Sequence, residues 1–251
     1  MIDALTILAV AGTFLVAGTV KGVIGLGLPT VSLALLTVAL GLPQAMAILL
    51  VPSFVTNVWQ AAAGGNGSAI VRRIWPFLLM ATLTVWIGTA ALTRVDPGLL
   101  SALLGVLLVV YSAFNLAGFR FAVTSRQEAW VGPLAGTANG ILTGMTGSFV
   151  VPGVLFLQAI GLSRDMLVQA MGMLFTASTL ALAAGLQGNG LLTPELGKLS
   201  AAAVLPAIIG MVFGQRIRET MPEHMFRRVF FTALLMLGGY IIANGFFGTP
   251  A

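Results

Sequence analysis

Ten apolar stretches, most of them as long as a bilayer is thick, take up nearly the whole of this chain. They run roughly over 4–24, 28–41, 44–63, 71–93, 98–119, 129–146, 149–161, 166–186, 197–214 and 225–247. A helix rises about 1.5 Å per residue, so about 20 apolar residues cross a hydrocarbon core of about 30 Å. Only 8% of the 251 residues are charged and 58% are hydrophobic, whereas a soluble domain carries about 25% charge. Too little polar surface is left to face water, and the expected fold is an all-α integral membrane protein with about ten membrane segments, in contact with lipid. Two of the stretches, 28–41 and 149–161, are short, and each follows a glycine-rich interruption.

Twelve Lys and Arg against seven Asp and Glu would point to nucleic acid in a soluble protein. Here the basic residues, Lys21 apart, sit in or beside short connections, where they set orientation in the bilayer, so no nucleic-acid partner is expected. Cys is absent and His224 is the single His, placed in a loop beside Glu223. That removes thiolate clusters, zinc sites and haem attachment together, and no cofactor is expected. Met1-Ile-Asp-Ala lacks the basic run of a cleavable signal, so the first stretch is expected to remain as a membrane segment.

The chain repeats itself. Gly18-Thr-Val-Lys-Gly22 matches Gly136-Thr-Ala-Asn-Gly140 at an offset of 118; Gly41, Leu42, Met46, Thr56, Ala61, Ala63 and Gly65 match Gly161, Leu162, Met166, Thr176, Ala181, Ala183 and Gly185 at an offset of 120. Two homologous membrane repeats, 1–128 and 129–251, are expected. Counting all ten stretches as crossings puts Arg72, Arg73, Arg120, Arg126, Arg164, Arg216, Arg218, Arg227 and Arg228 on one side, against Arg94 and Lys198 on the other. Letting the two short stretches turn back divides the same charges six against five. The positive-inside bias favours ten crossings with both termini outside. Five crossings per repeat is odd, so the repeats are expected to be inverted, a construction that places a transporter's site near midplane at the repeat interface.

All seven acids fall at the N-terminus or in connections, so neither a proton relay of carboxylates nor a carboxylate cation cage is expected. Lys21 is different. It lies within the first stretch, where an intramembrane Lys costs about 2.5–3.5 kcal/mol and usually faces a cavity or a partner; the alternative is that it snorkels to the headgroups. Just beyond it runs Gly22-Val-Ile-Gly25-Leu-Gly27-Leu-Pro29-Thr30, and the repeat counterpart is Gly140-Ile-Leu-Thr143-Gly144-Met-Thr146-Gly147-Ser148, followed by Pro152. Such stretches break one helix and start another, baring backbone N–H groups that favour an anion. Broken backbone must be buried in protein or line a cavity. The alternative is that the glycines only permit close helix packing. Lys21 aligns with Asn139, a charge in one repeat and a neutral donor in the other. Lys21, Gly25, Gly27, Thr30, Asn139, Thr143, Gly144, Thr146, Gly147 and Ser148 are the candidate anion-binding residues at the two breaks. Asn57 and Gln169, polar residues in apolar helices, join them, although such residues more often bond helix to helix, as Gln60 also would.

At these residues the chain resembles the sulfite exporter TauE/SafE family. The likeness lies in the glycine-rich break after the first helix, the Leu40-Gly-Leu-Pro43 turn with its small-residue helix, and the recurrence of both after residue 134. Gly25-Leu-Gly27-Leu is sparser in glycine than the family's own cluster. The resemblance implies a secondary transporter of small anions, sulfur oxyanions or organosulfonates, in the bacterial inner membrane, with related members handling other organic acids. A passive anion channel and a non-transporting structural membrane protein are the alternatives. An intramembrane enzyme would need a nucleophile with a base, or a metal site, and the sequence offers neither within the membrane. The expected partners are a small anionic substrate and membrane lipid, with room for a homo-oligomer.

Overall fold

The computed structural model describes residues 3–119, 121–220 and 223–247; Arg120, counted above among the connection charges, lies outside them. Among the described residues the chain forms helices and no strand: α1 (Ala4–Ile24), α2 (Leu28–Leu40), α3 (Leu42–Ile48), α4 (Leu50–Ala62), α5 (Gly67–Leu83), α6 (Val85–Leu92), α7 (Pro97–Ala117), α8 (Ser125–Thr146), α9 (Gly153–Ala159), α10 (Arg164–Gly188), α11 (Pro194–Ala202), α12 (Val204–Thr220) and α13 (Glu223–Phe247). Caps mark several starts. Asp96 accepts from the N–H groups of Gly98 and Leu99 with Pro97 at the first helical position, and Thr124 forms a capping box with Gln127 at the head of α8. His224 belongs to the first turn of α13 rather than to a loop. Glu128, Asp165 and Glu195 likewise sit in first helical turns, where a carboxylate suits the helix dipole.

Each of the ten apolar stretches contains helix, 149–161 only over Gly153–Ala159, but the count of spans is smaller. Among the described residues, six helices are both long and apolar enough to cross a membrane: Ala4–Ile24, Gly67–Leu92, Pro97–Ala117, Arg164–Gly188, Pro194–Glu219 and His224–Phe246. The pair α3 and α4, bent by 46°, makes a seventh if it counts as one span. At 13 and seven residues, α2 and α9 are too short. In α8, 22 residues long, the Gly, Thr and Asn content dilutes the apolar signal. The molecule is a multi-pass membrane protein.

The bend between α3 and α4 has a local cause. Pro52 cannot donate to the carbonyl four residues back, and its ring crowds that carbonyl, which belongs to Ile48. The hydroxyl of Ser200 donates to the Ile48 carbonyl at 2.7 Å and accepts from the Val51 N–H at 3.0 Å. One buried serine therefore replaces the hydrogen bonds the bend gives up.

Two compact units arise, unit 1 from Met1–Pro52, Val95–Gly118 and Gly190–Ala251, and unit 2 from Ser53–Arg94 and Phe119–Asn189. Each draws on segments from both sides of residue 128. In unit 1, α1 lies along α12 and α7 along α13. A methyl at Gly18 would strike the carbonyl of Ala207, and one at Gly22 that of Met211. In unit 2, α8 lies along α5 and α6; a methyl at Gly136 would strike the carbonyl of Phe77, and one at Gly140 that of Ala81. Gly18 and Gly22 match Gly136 and Gly140 at an offset of 118, and their partners keep a constant spacing too. One small-residue contact is thus made twice, which is how helices associate closely when lipid supplies no hydrophobic drive. A charged staple also holds unit 2: Arg73 on α5 grips both carboxylate oxygens of Glu128 on α8, at 2.9 and 2.6 Å, and donates to the carbonyl of Ile160 at 2.7 Å.

Candidate functional site

Both glycine-rich stretches interrupt the helix. In unit 1, Gly25 closes α1 with φ of 78°, its N–H bonded to the Lys21 carbonyl at 2.8 Å, and Gly27 precedes α2 with φ of 105°. Both angles lie in the left-handed region that side chains disfavour, so glycine here makes the turn. Pro29 sits in the first turn of α2, where its missing N–H leaves no helical bond unmade. Lys21 stands one turn before the break and is only 5% exposed. Its side chain is therefore covered by protein, and snorkelling to the headgroups does not describe it. Thr30 is buried as well. Gly27 approaches the ring of Phe230 on α13.

In unit 2, α8 runs one turn past the point equivalent to Gly25 before Gly147 stops it, with φ of 73° and its N–H on the Thr143 carbonyl at 2.7 Å. Six residues, Gly147 to Pro152, then lead into α9. The break is held by its own side chains. Thr143 donates to the carbonyl of Ser148 at 2.9 Å; Thr146 donates to the carbonyl of Leu142 at 2.7 Å and accepts from the Ser148 N–H at 3.2 Å. Asn139 accepts from the N–H of Gly153 through Oδ1 at 3.0 Å. The backbone donor expected to lie bare at the restarted helix is already satisfied there. The hydroxyl protons of Thr143 and Thr146, read as anion donors, are engaged with carbonyls.

What remains is a smaller set. Asn139 Nδ2 and Ser148 Oγ are buried with no hydrogen-bond partner. Phe149 packs its ring 5.8 Å from that of Phe175 on α10, and one turn further along α10 the buried hydroxyl of Ser178 also has none. Ser178 was not among the sequence candidates; its only signal was a hydroxyl within the apolar run of α10. A buried donor without a partner costs about 1–3 kcal/mol, more where no water competes, so each calls for an explanation.

Other candidates serve the framework. Gly144 is a packing residue, since a methyl there would strike the Val85 carbonyl. Gln169 donates to the Ala61 carbonyl at 2.9 Å and accepts from the Asn66 N–H at 3.1 Å, while Gln60 donates to the Val168 carbonyl at 2.8 Å. These two amides tie α4 and α10 together. Asn57, fully buried, lies one turn before Gln60 on α4 and one turn after Ser53, whose buried hydroxyl has no partner. No group of three or more His, Cys, Asp or Glu able to hold a metal occurs among the described residues.

The sequence profile of the sulfite exporter TauE/SafE family matches residues 10–241, nearly the whole chain. No curated protein matches, and no solved structure does.

Proposed function

Because this chain belongs to the sulfite exporter TauE/SafE family, a family of membrane transporters, we propose that it is a secondary transporter of small sulfur anions such as sulfite or sulfoacetate-like organosulfonates. The proposed location is the bacterial inner membrane, and the proposed construction is two inverted repeats, 1–128 and 129–251, whose ten segments all enter the membrane. The observation that carries the reading is that both glycine-rich stretches interrupt their helices beside buried polar groups. Irregular backbone at membrane depth is tolerated only inside protein or along a cavity, and transporters place such interruptions where the substrate binds.

Chemically, the reading assigns Lys21 in unit 1 a charge that attracts an anion, and in unit 2 it assigns Asn139 Nδ2 and Ser148 Oγ the part of neutral donors to anion oxygens. Thr143, Thr146 and the Oδ1 of Asn139 then act as the frame that holds the second break open. In unit 1, Gly25, Gly27 and Thr30 present backbone and hydroxyl groups at the first.

Counterflow in proteoliposomes tests this. Vesicles loaded with unlabelled sulfite should transiently accumulate radiolabelled sulfite, as a carrier does and a channel does not. Flux without counterflow means a passive channel. If there is no flux, and no stabilisation of the purified protein by sulfite, thiosulfate, sulfoacetate, taurine or simple carboxylates, anion transport is ruled out.

A further inference from the structure

Two buried hydroxyls in unit 1 lie outside everything described so far. Tyr111 and Ser112 are neighbours about two thirds of the way along the 21-residue α7. Both side chains are fully buried, and neither Tyr111 Oη nor Ser112 Oγ has a hydrogen-bond partner. Phe at 111 would keep the ring and have no polar atom to satisfy, whereas the phenol oxygen is costly to bury without a partner.

Position supplies the reason. The Tyr111 ring meets Phe231 of α13 edge-on, centroids 5.5 Å apart; Phe231 packs on Phe230 at 4.9 Å; and Phe230 lies against Gly27, the second glycine of the first break. A run of aromatic contacts thus joins Tyr111 to the interruption beside Lys21. On the other side, Arg227 stands over the Phe231 ring at 5.8 Å, exposed at the start of α13 together with Arg228. Its Nη2 lies 3.4 Å from Asn115 Oδ1, and Asn115 donates to the Tyr111 carbonyl at 2.8 Å. Positive charge at the rim of this row attracts anions, and a phenol and an alcohol further in are neutral donors that suit an oxyanion stripped of water.

We propose that Tyr111, with Ser112 beside it, donates hydrogen bonds to the transported anion within unit 1, extending the site from the first break to α7. The ligand class is a small oxyanion whose exposed atoms are all acceptors. This assignment rests on the transport reading above and deepens it.

The test is sulfite binding to the purified full-length protein, read as ligand-induced thermal stabilisation, with counterflow alongside. Tyr111→Phe keeps the ring on Phe231 and removes only the hydroxyl; Ser112→Ala does the same for its neighbour. Without ligand, both variants are expected to unfold at or slightly above the wild-type temperature, because an unsatisfied donor has been removed. With sulfite, half-saturation is expected to move up about tenfold for Tyr111→Phe and severalfold for Ser112→Ala, the loss typical of a hydrogen bond to a charged group. Wild-type affinity in both variants overturns the assignment and leaves the transport reading standing. Failure of the wild-type protein to bind or move any anion of the panel overturns both.

Discussion

The side chain of Asn139 reaches across the second helix interruption and accepts a hydrogen bond from the backbone N–H of Gly153, fourteen residues further on, at 3.0 Å. One end of that amide fixes the start of α9, and the other, Nδ2, is buried with no partner. A single residue thus holds structure with its oxygen and offers a donor with its nitrogen, and substitutions can separate the two roles. Asn139→Asp keeps an oxygen acceptor for Gly153 but replaces the donor with negative charge. It is expected to abolish anion-induced stabilisation, while Asn139→Ala should lower intrinsic stability by about 1–2 kcal/mol through the lost cap. Thermal unfolding in detergent, with and without sulfite, measures both.

Lys21 invites a charge-deleting change that preserves bulk. Lys21→Met retains an apolar stem in the buried position and removes the ammonium. The fold should be kept, since the stem still fills the buried position. Sulfite affinity should fall by about 10- to 100-fold, as for a lost charge-assisted contact worth about 1.5–3 kcal/mol. Equal affinity for the variant and the wild type would remove Lys21 from the site.

Packing glycines and open glycines should behave oppositely. Gly140→Ala drives a methyl toward the Ala81 carbonyl and the Thr84 hydroxyl, and overpacking of this kind costs about 1–3 kcal/mol. Gly12, also in a helix, has nothing within 4 Å of the added methyl, so Gly12→Ala should gain up to about 1 kcal/mol from helix propensity. Comparing the two unfolding temperatures checks the prediction.

Ser200→Ala removes the hydroxyl that serves both Ile48 and Val51 at the α3–α4 bend. Two backbone groups would lose their partners, and stability should drop by about 1–3 kcal/mol. The loss should be seen without ligand and leave anion affinity within twofold. A lowered affinity with unchanged stability would mean that Ser200 acts on substrate rather than on the bend.

Where helices form was legible because lipid demands that every backbone group be satisfied within its own segment, so apolar length alone marks them. The breaks were legible too: at Gly25, Gly27 and Gly147 the backbone takes a left-handed turn that glycine permits cheaply. Less could be read of what each polar residue does. Thr143 and Thr146 fall in the pattern of an anion site, yet whether a hydroxyl bonds a carbonyl or points elsewhere depends on rotamer and on the path after Gly147. Gly144 and Gln169 looked like members of the same set and turned out to serve packing and a helix tie. Tyr111, Ser112 and Ser178 escaped notice because a lone hydroxyl in an apolar run has no spacing to set it apart. Nor did the sequence indicate which helices pair. A membrane helix is apolar on nearly every side, so its periodicity does not name a neighbour.

The contact between α1 and α12 joins Gly18 to Ala207, residues 189 positions apart in the sequence. During synthesis α1 enters the bilayer long before α12 has been translated. Until then its glycine face has only lipid or a chaperone to rest against, and loop closure over such a distance is slow. Truncated or stalled chains should therefore insert yet leave unit 1 unassembled, exposed to quality-control proteases. Helices that emerge later from the ribosome decide whether α1 ever settles.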